Sequence, residues 1–135
     1  MKTLLPLLIG CFLTICSIAH AETNPYREVK LVPNIDRSKL RQPKGDVQII
    51  RVPHFTKADF DATFAKGQMQ IGMVNFNAPP NPNEANEVRL EAKRIKAEVV
   101  YILDDGKHPY AHFILFYGIK KPEFMTVSER KMSGN

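Results

Sequence analysis

Beyond the first 21 residues the chain keeps three histidines, His54, His108 and His112, and one of them closes the run Asp104-Asp105-Gly106-Lys107-His108. Asp104, Asp105 and His108 combine carboxylate oxygens with an imidazole, a donor set able to hold zinc or calcium if the loop folds them together. His108 and His112 are four apart, the spacing of a metal pair on one helix face. Pro109 and the apolar run after it exclude a helix, and on an extended segment the two rings stand about 13 Å apart. An ordinary Asp-Gly turn with a surface histidine accounts for the same residues without a metal.

Other chemistries find less support. Ser38, Ser128 and Ser133 are the serines past residue 21, and all lie in polar stretches outside the patterned centre. A catalytic serine needs a strained turn beside a base. The glycines are scattered rather than gathered into a phosphate-cradling loop. Asp59 with Asp61 fits a helix start, where carboxylates offset the dipole. No catalytic constellation and no cofactor are indicated.

Two features suit binding. The loop from Phe76 to Asn83 contains Asn77, Pro79 and Pro80, leaves a strand end and enters a helix start, where an anion or carboxylate is welcome. Alternatively, it is a stiff connector ending in a helix cap. At 100° per residue, Ala85, Val88, Ala92 and Ile95 share one helix face. Leu90 points nearly opposite, with Arg89, Lys93 and Arg94 to either side. An exposed leucine among basic residues is a candidate partner site, although single exposed leucines are also ordinary.

The elements that position these residues follow from periodicity and punctuation. Val47 to Val52 is a β-branched strand. Thr56 caps a helix whose N3 residue is Asp59, a capping-box spacing, with Phe55 and Phe60 placed as a hydrophobic staple. Phe60 and Phe64, four apart, are expected on its buried face, and Gly67 at its left-handed end. Met69 to Phe76 is a second strand, with Gly72 where another chain segment comes close. Asn81 is expected to cap the second helix, with Pro82 and Glu84 in its first turn. Val99 to Leu103 and Ala111 to Tyr117 form an antiparallel hairpin of unbroken apolar runs, the pattern of strands covered on both faces.

The predicted fold class is α/β: a single two-layer domain, ordered strand-helix-strand-helix-strand-strand, with a mixed sheet of about four strands over residues 47–118. Residues 22–46 form an extended arm whose Val29 to Val32 stretch adds an edge strand, and residues 119–135 form a loose tail. Both helices are expected on one face, with the other covered by the arm or by a second copy in a dimer.

The first 21 residues read as a secretory signal. Lys2 precedes the apolar run Leu4 to Cys16, and Ala19 and Ala21 supply the small residues before a cut at Glu22. The run is shorter than the roughly 20 residues a bilayer span takes. Leu8-Ile9-Gly10-Cys11 offers an alternative, lipid anchoring through Cys11. Both cysteines, Cys11 and Cys16, fall in this segment, so the exported chain holds together by packing rather than disulfides. That points to a bacterial periplasm or extracellular space. The formal net charge is +5, with acids and bases interspersed. No basic face of the kind nucleic acids require is evident.

The stretch Gly67-Gln68-Met69-Gln70-Ile71-Gly72-Met73-Val74-Asn75-Phe76-Asn77, followed by Ala92-Lys93-Arg94-Ile95-Lys96-Ala97-Glu98-Val99-Val100, resembles a group of small bacterial secreted or envelope α/β proteins. Their strand reads Gly-Tyr-x-x-Ile-Gly-x-Ser-x-Phe-Asn and their helix ends Ala-Lys-x-x-Gly-Ala-x-x-Val. The resemblance implies a secreted α/β domain and no catalytic residues. Gln68, Met73 and Lys96 depart from it. The sequence thus leads to an exported, non-enzymatic binding or envelope-associated module whose partner is an envelope protein or its own copy. The alternative is a small-ligand or metal-binding protein, including an enzyme, with its site near Asp104–His112 or the Phe76–Asn83 loop.

Overall fold

The apolar runs become strands of one sheet. The computed structural model describes residues 29–77, 82–107 and 111–134. It places β1 at Lys30–Leu31, β2 at Gln48–Val52, α1 at Lys57–Ala65, β3 at Gln68–Asn77 and α2 at Glu84–Ile95. β4 at Val99–Leu103, β5 at Ala111–Ile119 and α3 at Val127–Met132 complete it, with 3-10 turns at Arg37–Lys39 and Pro122–Phe124. The expected export segment and Cys11 lie outside the described residues, as do Pro79, Pro80 and His108.

The strand order is β1-β3-β5-β4-β2. β4 and β5 form the expected antiparallel hairpin, from Leu103 opposite Phe113 to Val99 opposite Tyr117. β3 runs antiparallel to β5 on its other side, and β2 lies parallel to β4. The Val29 to Val32 stretch does add an edge strand, β1, antiparallel to β3 at Met73 and Gly72, and so brings this mixed sheet to five strands. Gly72 is needed there, since a Cβ would meet the Val29 side chain at 2.6 Å.

The helices divide between the two faces, where both were expected on one. Val88, Ala92 and Ile95 of α2 pack with Val100, Ile102, Ile114 and Phe116. Phe55 and α1 lie on the opposite face: Phe55 meets Phe60 edge-to-face at 5.0 Å and Tyr101 at a tilt at 4.8 Å. The reason is topological. The β2-to-β3 connection crosses the sheet in one direction and the β3-to-β4 connection returns, so helices on opposite faces give both crossovers one hand. The arm joins the α2 face, where Val29, Ile35, Leu40 and Val47 enter the core.

Three expectations are corrected locally. Phe60 and Phe64 are not the buried face of α1; they are 44% and 66% exposed, and Thr63 faces inward instead. The Thr56–Asp59 capping box and the Phe55–Phe60 staple are present as read. α2 starts at Glu84 with Asn83 in the cap position, whereas Asn81 was expected there. Glu84 is buried and ion-paired at 2.7 Å to Arg51 of β2, so tertiary contact fixes that first turn. Residues 119–135, expected as a loose tail, carry α3, whose Thr126–Glu129 capping box is complete. Glu129 is buried and lies 3.4 Å from the Lys120 ammonium, while the Met125 side chain packs over Gly67.

Candidate binding site

Among the described residues, the start of β3 sits at an open sheet edge. The Lys120 N–H donates to the Gly67 carbonyl at 3.0 Å, which turns Gly67 toward β5. Alternation along an antiparallel ladder turns Met69 the same way and points the backbone of Gln68 and Gln70 outward. On that outer side β1 covers only Gly72 and Met73. The Val32 N–H then donates to the Ile71 carbonyl at 3.1 Å. Pro33, lacking a donor, ends the pairing, and Asn34 at φ 63° turns the chain away. A register shift between Gln70 and Gly72 marks the same place with a bulge.

A cavity of about 350 Å³ wraps this edge. Phe60, Thr63, Phe64 and Tyr117 line it from the α1 side, and Ile35 and Met69 from the α2 side. Gln68, Gln70 and Asp61 supply its polar rim. α1 aims its exposed rings here because the capping box fixes its start and Thr63, rather than a phenylalanine, turns toward the sheet. The Lys120 ammonium sits 5.2 Å over the Phe64 ring, a cation–π contact that holds the outer wall.

The floor is aromatic with polar tips. Tyr101 and Tyr117 meet edge-to-face at 5.3 Å. The Tyr101 hydroxyl donates to the Gln68 side-chain carbonyl at 2.8 Å, and Thr63 donates its hydroxyl to the Phe60 carbonyl at 2.7 Å. Burial pushes both phenols above their ordinary range, opposed by Gln68 at Tyr101 and by Thr63 at Tyr117. Both therefore stay neutral near pH 7. The site offers hydrogen bonds and apolar surface, and its carboxylate, Asp61, is ion-paired with the Lys57 ammonium at 3.1 Å.

The residues singled out from sequence fall elsewhere. Leu90 is 64% exposed on the outer face of α2, as expected. Lys93 is exposed beside it and Arg89 is half-buried. Arg94 is committed to the buried Glu91, with two contacts of 3.0 Å. Asn77 ends β3. Asp104 and Asp105 accept the backbone N–H groups of Gly106 and Lys107 at 2.9 and 2.8 Å, the bonds of an Asx turn. No group of three or more metal-ligating side chains occurs among the described residues, and no described helix is long and apolar enough to cross a membrane.

Sequence reasoning missed the cleft because it placed Phe60 and Phe64 inside. A signal was present: Ala58, Phe60, Ala62, Phe64 and Ala65 go round α1 rather than down one side, so no face is marked as buried. Comparison with known proteins returns no match to a family model, a curated protein or a solved structure.

Proposed function

We propose that this protein is an exported, non-enzymatic binding module that captures an extended apolar segment of an envelope protein by adding it to the open edge of β3. The observation that carries this reading is the coincidence of outward-facing backbone at Gln68 and Gln70 with apolar walls on both sides of that edge. Main-chain hydrogen bonds would supply affinity, and the pocket between Phe64 and Ile35 would select an apolar side chain. Neutral tyrosines and tied carboxylates favour binding over catalysis. Export rests on the residues before Glu22.

Site-specific photo-crosslinking in the native cell tests this. A photoreactive phenylalanine analogue replacing Phe64 should trap a discrete partner, and one replacing Leu90 should not. Gln70→Pro removes one outward N–H at a place where an edge strand tolerates proline. It should abolish capture while the far-ultraviolet spectrum stays unchanged. Capture that survives both Gln70→Pro and Phe64→Ser would refute edge addition. Crosslinks of the chain to itself, with a dimer mass by light scattering, would make the occupant a second copy. The cavity volume also lies in the range of small-ligand pockets. A compact apolar molecule as occupant would lose affinity with Phe64→Ser and keep it with Gln70→Pro.

A further inference from the structure

A second cavity, of about 380 Å³, is built differently and serves a different chemistry. It is lined by Arg37, Leu40, Arg41, Gln42, Arg94 and Lys96. The 3-10 turn of the arm supplies Arg37, and the last turn and C-cap of α2 supply Arg94 and Lys96. Arg41 is held from behind by Glu98, with contacts of 2.9 and 3.0 Å. Arg94 is held likewise by Glu91. Both carboxylates are buried, at 7% and 2% exposure, and Glu98 also accepts the Lys44 N–H at 3.1 Å.

The two arginines are therefore fixed in place by anions lying on the protein side. Arg37 donates to the Ile95 carbonyl, a neutral acceptor, and makes no ion pair among the described residues. Lys96 adds a further charge from a left-handed residue at φ 65°, where glycine is the usual occupant. Four cationic side chains thus meet two carboxylates. The negative end of α2 offsets part of the remaining charge, and the rest faces the cavity. Fixed guanidinium groups beside the Lys96 ammonium are suited to a tetrahedral oxyanion, because little side-chain freedom is lost when it binds.

We propose that this notch is a binding site for a phosphate group. The phosphate seats against Arg41 and Arg94, with Arg37 and Lys96 contacting its outer oxygens. Inorganic phosphate and glycerol 3-phosphate are the soluble probes, and vesicles of phosphatidylglycerol, against phosphatidylcholine, present the same group on a membrane. The full-length protein is titrated while amide and guanidinium resonances are followed, with chloride at matched ionic strength as control.

Saturable shifts at Arg41, Arg94 and Lys96 with phosphate and not with chloride are expected. Lys96→Gly removes a charge while easing the backbone, and combined with Arg37→Gln it should weaken binding about tenfold with the melting temperature preserved. Saturation by soluble phosphates without vesicle binding makes the ligand a soluble phosphate. Flotation with phosphatidylglycerol vesicles, lost in the double variant, makes it a lipid headgroup. Equal shifts with chloride, affinity unchanged in the double variant, or no saturation by either source would overturn the proposal.

Discussion

The two faces of the central hairpin come from alternate residues of the same strands and are built differently. On the α2 face, Val88, Val100, Ile102, Ile114 and Phe116 are each 0% exposed. They form an apolar layer closed by α2 and the arm. On the α1 face the alternate positions are Val99, Tyr101, Leu115 and Tyr117; the Tyr101 hydroxyl is bonded to Gln68, and that of Tyr117 lies beside Thr63. That layer continues outward into the exposed rings of Phe60 and Phe64. A face that only stabilises can be closed and dry. The α1 face instead keeps an open flank and polar handles, and part of its apolar surface stays in water.

Mutation should separate the faces. Phe116→Ala on the closed face empties a fully buried site and should cost about 3–5 kcal/mol in urea unfolding; a loss near 1 kcal/mol would mean that layer is looser than drawn. On the open face, Tyr117→Phe keeps the ring, loses the hydroxyl beside Thr63 and should cost about 1 kcal/mol. Thr56→Ala removes the cap that sets the start of α1 and should cost up to about 1 kcal/mol. Capture at the cleft should weaken in parallel if the position of α1 governs it.

Alkali should act on one face alone. Burial raises the Tyr101 and Tyr117 values above the ordinary 10.0, so the folded state favours the neutral phenols. Their stabilising contribution is complete below pH 10 and is lost as pH rises through the raised folded values. Thermal melts should fall over that window as phenolate absorbance appears, and replacing both tyrosines by phenylalanine should flatten the decline. Phe64→Ser is the smallest expected effect on stability, within about 0.5 kcal/mol, although it should abolish crosslinking. A large loss of stability would place Phe64 in the core after all.

Much of this architecture is legible in the chain, and the misreadings share a cause. Strands announced by β-branched runs, the Thr56–Asp59 box and the Gly72 contact depend on neighbours in sequence or on one close approach, and all three were readable. α1 failed in phase because its alanines and phenylalanines mark no single face, so the sheet decides which side turns in. α3 was passed over although Thr126-Val127-Ser128-Glu129 spells a capping box. The charge-rich composition around it outweighed a local signal. The basic notch lies beyond any local reading, since Arg41 meets Glu98 across 57 residues.

The strand order also sets a timetable. β4 and β5 close locally, with Leu103 opposite Phe113. β2 has no partner until β4 exists, with Gln48 opposite Val99, and β1 must wait for β3, with Lys30 opposite Met73. Contacts so distant in sequence slow folding, because loop closure precedes any reward from pairing. A chain emerging N-terminus first therefore presents β2 with no strand to join until its last third arrives. The same dependence means that a product truncated before Val99 would leave β2 without its partner and β3 without β5.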